Sequence, residues 1–288
     1  MKHRFAALLA LALILCLTAS ASPIEHIRSG DPAASFGEND KLLTIRFMNT
    51  HAASDSFLLT YDGMTMLIDC GTAEEARAYL VPHLQALGVT EIDCVVNTHP
   101  HDDHLDGFVN FAEAFPVGAL YTCFPLDVNK EQKRAVAAAE AHGIPVISLN
   151  DQDTIPFSDL EIRTFSYEDK SGLNCASLIM HIRCGDSALL LLADSEGDAQ
   201  KRLNTLWGET LKCDIVKLPH HGINLPSYSM MQNALPELAV ITNRYSARCD
   251  KSIGMAHNVR CAEIRFTCNG DVICVTDGTR WVAAQEWE

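Results

Sequence analysis

No Cys-x-x-Cys pair occurs anywhere in the 288 residues, which removes the commonest sequence sign of a structural zinc knuckle. Nor is there a cluster of lysine and arginine. The chain has 22 basic residues against 37 acidic ones, a formal charge of −15. Such a surface repels polyanions at long range and offers no basic footprint for nucleic acid. After the first twenty or so residues no long apolar run follows, so no membrane span is expected there. Internal repeats and low-complexity tracts are absent. A Gly-x-Ser-x-Gly elbow is missing too, which leaves Ser195 and Cys175 as poor candidates for a covalent nucleophile.

The start of the chain does carry a pattern. Lys2, His3 and Arg4 precede an apolar run of 13 residues at 5–17, and Ala19-Ser20-Ala21 follows. A positive start, a short apolar run and a small-x-small site make a secretory signal peptide. A membrane span needs about 20 apolar residues. Cys16 follows Leu15 rather than a small residue, which argues against a lipoprotein. The expected organisation is a signal peptide at 1–21, a polar linker at 22–40 and one domain at 41–288, exported or at the cell surface, with no stable membrane span once the leader is gone.

Eleven cysteines are present, ten of them after the leader. Export permits disulfides. Cys70, Cys94, Cys184 and Cys213 lie in or beside apolar strand-like runs and read as small core residues. Cys249, Cys261, Cys268 and Cys274 lie close together near the end and are expected to form at least one disulfide. A hairpin read over 263–275, with a type I′ turn at Asn269-Gly270, puts Cys268 opposite Asp271 and Arg265 opposite Cys274. Cys249 or Cys261 is then the expected partner.

Strands are expected at 43–48, 56–61, 64–69, 92–97, 145–149, 161–166, 177–182, 188–193, 215–218 and 238–242. Helical spacing marks 74–87, 129–142, 196–207 and a short segment near 227–235. Pro82 inside the first of these predicts a kink or a late start. The strands fall into two groups with helices interspersed. Two sheets packed face to face with helices outside, a four-layer αββα sandwich of the α+β class, satisfy that order.

The stretch NTHPHDDHLDGF, residues 97–108, holds three histidines and three aspartates directly after an apolar run. Alternate residues of an extended chain point the same way, so His99 and His101 can share one cation. Asp103 and His104 then turn toward a second position. Imidazole and carboxylate are the groups zinc takes. Asp194, after the apolar run 189–193, and the His220-His221 doublet, after 215–218, are further candidates.

These motifs, in this order, resemble the metallo-β-lactamase superfamily. HPHDDH at 99–104 fits H-x-H-x-D-H. LIDCG at 67–71 looks like the family's strand ending in a structural aspartate. LLLLADSE at 189–196 looks like the strand ending in the bridging aspartate, and VKLPHHG at 216–222 like the one ending in the last histidine. NCASL at 174–178, HHG and the closing TCNGDVICVTDG at 267–278 are most similar to the hydrolase domain of ComEC-type DNA-uptake proteins and its stand-alone relatives. The resemblance implies a metallo-β-lactamase-like fold and two divalent ions, zinc first and manganese second. It implies that His99 and His101 bind the first ion, Asp103 and His104 the second, and Asp194 both. His220 or His221 would complete the second site. His220 is preferred because it is nearer the strand end, with His221 then free to donate a proton to a leaving group or a phosphate oxygen.

Two departures from the family pattern stand out. Where many members carry a further histidine ligand, this chain has Leu173 with Asn174 beside it, leaving Asn174 or water to fill the first site. Where ComEC-type proteins carry a glycine-rich DVGQGD loop, residues 49–56 read NTHAASDS. His51 there is either a loop residue or a group pointing into the cleft.

Two close divalent ions lower the pKa of bound water, so the expected reaction is hydrolysis by a metal-bound hydroxide, with Asp103 orienting it or taking its proton. The resemblance implies a phosphodiester substrate, nucleotide or nucleic-acid-like. The alternatives are a lactone, β-lactam or thioester hydrolase of the same superfamily, and a non-catalytic metal-binding surface protein. Within the first, the missing histidine argues against classical β-lactamases and glyoxalase-like members, and the intact set His99, His101, Asp103, His104, Asp194 and His220 argues against the second.

Overall fold

The computed structural model describes residues 24–38, 40–169 and 172–286, and the leader expected at 1–21 lies outside the described residues. Numbered along the chain, the strands are β1 (Ile24–His26), β2 (Leu43–Phe47), β3 (Phe57–Tyr61), β4 (Met64–Ile68), β5 (Cys94–Asn97), β6 (Leu120–Thr122), β7 (Val146–Ser148), β8 (Glu161–Phe165), β9 (Ile179–Cys184), β10 (Ser187–Leu191), β11 (Ile215–Lys217), β12 (Leu238–Ile241), β13 (Glu263–Phe266), β14 (Val272–Thr276) and β15 (Trp281–Gln285). One sheet runs β1-β15-β14-β2-β3-β4-β5-β6-β7. The other runs β13-β12-β11-β10-β9-β8.

The apolar strands are covered on both faces, and alternation assigns each residue its side. Met66 and Ile68 of β4 meet Leu189 and Leu191 of β10 in the core between the sheets. Leu67 faces the opposite way, onto Leu80, Phe108 and Phe111. Leu190 likewise turns outward, onto Leu203, Met230 and Met231. Each such side chain contributes about 1.5–3 kcal/mol on full burial. The helices therefore lie outside two packed sheets, the four-layer αββα sandwich that the strand grouping implies.

Helix signals in the sequence act where expected. Asn129 caps Lys130–Ala141, its side chain accepting the Gln132 N–H at 2.8 Å. Pro82 lacks an N–H, and the turn before it, Ala76–Leu80, widens to a π-helix between Ala73–Glu75 and Val81–Ala86.

Three readings need correction. The hairpin at 263–275 does not form. β13 pairs with β12, whereas β14 pairs with β2 and β15 in the other sheet. A type I′ turn needs positive φ at both central residues. Gly270 has φ +116, but Asn269 ends a 3-10 turn over Thr267–Asn269, and the link crosses between sheets. The disulfide falls with it, because Cys249, Cys261, Cys268 and Cys274 are free thiols. Cys274 faces the inter-sheet core, while Cys249 and Cys261 lie beneath the outer helices of the other sheet. Finally, the stretch read as a linker is partly docked, since β1 pairs in parallel with β15.

Topology then sets the site. β4 and β5 are parallel neighbours, as are β10, β11 and β12. The loops leaving their carboxyl ends meet at one mouth, where open α/β sheets carry their ligand sites.

Candidate metal centre

Beyond β5 the chain bends at Thr98 and reaches His101 in extended conformation (φ −85°, ψ 159°), and His99 Nε2 lies 3.0 Å from His101 Nδ1. The short helix Asp102–Leu105 then turns Asp102 out to solvent and His104 into full burial. Gly107 allows this loop to lie on the exit of β4. A Cβ there would stand 2.0 Å from the Cys70 carbonyl oxygen. After β10, Ala193 adopts φ +46 and presents Asp194. After β11, His220 and His221 both adopt φ +51, followed by Gly222 at φ +80. Non-glycine residues avoid this region, yet Asp69 (φ +56), Ala193, His220 and His221 all adopt it at this site.

Asp194 has two oxygens, and each faces a different group of side chains. On one side, Oδ1 lies 3.4 Å from His104 Nε2 and 3.7 Å from His221 Nε2. Asp103 Oδ2 closes this group, 3.2 Å from His221 Nε2 and 3.9 Å from His104 Nε2. On the other side, Oδ2 lies 3.7 Å from His99 Nε2 and 3.6 Å from His220 Nε2. Ligands held about 2.0–2.2 Å from a tetrahedral ion stand about 3.4 Å from one another. The observed separations bracket that value. His104 Nε2 and Asp194 Oδ1 are buried with no hydrogen-bond partner, as befits atoms that serve an ion.

A second layer orients these groups. Asp69 accepts from the Thr98 N–H (2.8 Å) and hydroxyl (2.6 Å) and lies 2.7 Å from His104 Nδ1. Asp55 Oδ1 lies 3.2 Å from His221 Nδ1 and accepts from the Thr242 hydroxyl at 2.5 Å. A carboxylate behind each imidazole fixes its tautomer with the far nitrogen free. The fully buried Lys217 pairs with Asp55, donates to the Ala193 carbonyl at 2.9 Å and lies 3.8 Å from Asp194.

The charges are tightly coupled. Burial disfavours an ionised Asp194, but His104 and His221 outweigh it and hold its pKa well below the usual carboxylate range. Burial opposes Asp103 in the same way, yet the His221 contact and nearby imidazoles bring it down to about 2. Burial drives His99 well below its ordinary value, and the charge of His104 adds to this, so His99 is a neutral imidazole. Four carboxylates, Asp55, Asp69, Asp103 and Asp194, share this pocket with Lys217. Burial works against protonated His104 and His221, but the surrounding carboxylates raise both above the ordinary imidazole value, and divalent cations can take the place of those protons as counter-charge.

The structure thus brings together His99, His101, Asp103, His104, Asp194, His220 and His221. His221, not His220, lies against Asp103 and His104. Leu173 packs on the inter-sheet core, and Asn174 Oδ1 is buried without a hydrogen-bond partner. His51 is exposed and packs against Tyr79 with ring centroids 4.3 Å apart and planes tilted by 45°. Sequence reasoning missed Asp55, Lys217 and Thr242. A visible signal existed for one of them: Lys217 interrupts an otherwise apolar strand.

Residues 50–238 match the model of the Metallo-beta-lactamase superfamily. The chain is similar to ComE operon protein 3 of Bacillus subtilis, 22% identical over 67% of this chain and 26% of that protein. It is similar to Competence protein ComA of Neisseria gonorrhoeae, 29% identical over 63% of this chain and 24% of that protein. A third relative is the Ribonuclease Z of Methanopyrus kandleri, 27% identical over 46% and 48%. The chain therefore spans about a quarter of the two competence proteins and about half of the ribonuclease. Among solved structures, the metallo-beta-lactamase fold protein YhfI of Bacillus subtilis superposes with a TM-score of 0.56 at 13% identity, over 78% of this chain and 96% of that one. Yeast PDE1 gives 0.51 at 14%, over 78% and 97%.

Proposed function

The chain belongs to the metallo-beta-lactamase superfamily, and from that premise we propose an exported, metal-dependent hydrolase that cleaves phosphodiesters. The observation that carries the reading is the division of Asp194 between two groups of ligand-type atoms. His99, His101 and Asp194 would hold one ion. Asp103, His104, His221 and Asp194 would hold the other. Two bound divalent cations, zinc first and manganese second, would supply Lewis acidity at the phosphoryl oxygen and acidify the attacking water.

The chain's own groups do the rest. Asp103, with a pKa of about 2, is an anion at any working pH. It is a weak base and a good acceptor, so its role is to orient the attacking water. The His221 side chain is 2% exposed, with Nδ1 turned to Asp55 and Nε2 to Asp103. That leaves it no face for a leaving group, and we assign it as a ligand. Asp55 and Asp69 keep His221 and His104 in the binding tautomer.

Similarity to a ribonuclease and to competence proteins supports the phosphodiester class. His51, Asn243 and Arg244 line a cavity of about 340 Å³. Asn243 follows Thr242, which bonds Asp55. A guanidinium there suits a phosphate oxygen. The charge of −15 opposes long polyanions and favours a short substrate.

The test is a panel of bis-p-nitrophenyl phosphate, nitrocefin and a lactone, each with and without added zinc or manganese. Metal-dependent cleavage of the phosphodiester is expected. Cleavage confined to nitrocefin or the lactone would move the chain to the other hydrolase class. Inertness together with no bound metal would point to a non-catalytic surface protein. Export is checked by the mature N-terminus, expected at Ser22.

A further inference from the structure

The His220-His221 doublet sends its two rings to opposite sides of Asp194, and we propose that His220 is a ligand of the first ion, shared with His99 and His101. The inference rests on the two-ion reading above and assigns the one imidazole that reading leaves without a role.

The backbone explains the division. Residues in ordinary extended or helical conformation would not bring two successive rings to one carboxylate. Here both histidines are left-handed, and the rings stand 71° apart with centroids separated by 5.7 Å. The turn is held from several sides. The His220 N–H donates to the Ala193 carbonyl at 2.9 Å, next to Asp194 in the chain. Lys217 donates to the same carbonyl at 2.9 Å. Gly222 passes so close to β12 that a Cβ would stand 2.9 Å from Ile241.

The consequence is a second group of ligand-type nitrogens gathered about Asp194 Oδ2 and His99. His220 Nε2 lies 3.6 Å from Asp194 Oδ2, the oxygen that faces His99 Nε2 at 3.7 Å, and His99 Nε2 lies 3.0 Å from His101 Nδ1. His99, His101 and Asp194 give three protein ligands, and His220 makes four. Leu173, a hydrocarbon side chain packed on the inter-sheet core, supplies no ligand atom there.

The experiment counts ions rather than turnover. The full chain is loaded with zinc, dialysed, and analysed for metal per chain, and the cobalt form is followed by its visible absorption. His99→Ala marks loss of the first ion and His104→Ala loss of the second. His220→Ala and His220→Asn, the latter suited to left-handed backbone, should each lose one ion of two. Affinity for that ion should fall about 100-fold, at least the cost of losing an outer-shell partner. The His99→Ala/His220→Ala double variant should still hold one ion, and His104→Ala/His220→Ala should hold none. Two tightly bound ions in both His220 variants, alongside one ion in His99→Ala, would overturn the assignment while leaving the two-ion reading intact. A wild-type chain that binds no ion would overturn both.

Discussion

The two sides of Asp194 are built differently. On the His104 and His221 side each imidazole has a carboxylate behind it, Asp69 at 2.7 Å and Asp55 at 3.2 Å. Lys217 neutralises Asp55 from below, and both rings are buried. On the His99 and His101 side the support is thin. His99 Nδ1 has the Thr98 hydroxyl at 3.3 Å, and His220 Nδ1 has no hydrogen-bond partner. His101 and His220 are only partly buried. A braced ligand keeps its geometry and its tautomer, whereas an unbraced one can shift as a substrate arrives. On the two-ion proposal, the difference predicts tighter binding in one half and adaptability in the other.

The largest effect comes from removing what the halves share. Asp194→Ala should release both ions and abolish hydrolysis, with metal content near zero by elemental analysis. Retained activity in this variant would end the shared-carboxylate reading and return attention to a covalent nucleophile.

The next change strips the braced half of its support. Asp55→Asn should weaken the second ion about 10–100-fold. It also takes the nearer of two carboxylates from the buried Lys217, leaving Asp194 at 3.8 Å, at a cost of up to about 3–5 kcal/mol by denaturant titration. Adding Lys217→Met should restore much of that stability, because replacing both members of a buried pair is far milder than removing one. It should not restore the affinity. If stability and affinity recover together, Asp55 acts on the fold and not on His221.

Only part of this contrast was legible in the sequence. His99, His101, Asp103 and His104 stand within six residues, so local geometry alone predicts their meeting. Asp194 could be placed by its position after an apolar run. Asp55 could not, since its partners lie 166 and 187 residues away and no local pattern reports a contact through space. The doublet was legible as a doublet, but which ring turns which way depends on two left-handed residues. In the fold, long apolar runs such as 188–193 read correctly because both faces are buried. The three-residue strands β1 and β6 are too short for periodicity to mark. The false hairpin arose from Asn269-Gly270, a local turn signal overridden when β13 and β14 joined different sheets.

Graded chelation should expose the same asymmetry with smaller steps. As a chelator is titrated, one ion should leave well before the other, and hydrolysis should end with the first loss. Most of the fall in Tm should accompany the second loss, because that ion ties together loops braced by Asp55, Asp69 and Lys217. Simultaneous loss of both ions, with one thermal transition throughout, would show that the bracing does not separate the two affinities.

The smallest effect is expected one residue from a large one. His101 ends the extended stretch, and the chain then enters the helix Asp102–Leu105. Asp103 and His104 take the inward directions of that turn, and Asp102 is left facing solvent. Its carboxylate is spent locally, accepting the Asp103 N–H at 3.1 Å. Asp102→Ala therefore loses an exposed first-turn contact worth about 0.5–1 kcal/mol. Activity should fall less than about tenfold, the low end for a neighbour of metal ligands. Both ions should remain by elemental analysis. Asp103→Ala differs by a single position and should lose the braced ion, because Asp103 Oδ2 stands 3.2 Å from His221 Nε2. Cys175→Ala belongs with the mild variant, since hydrolysis by an activated water needs no thiol. A dead Cys175→Ala chain that still holds both ions would contradict the proposed chemistry, and equal damage from Asp102→Ala and Asp103→Ala would contradict the orientation of the turn that presents them.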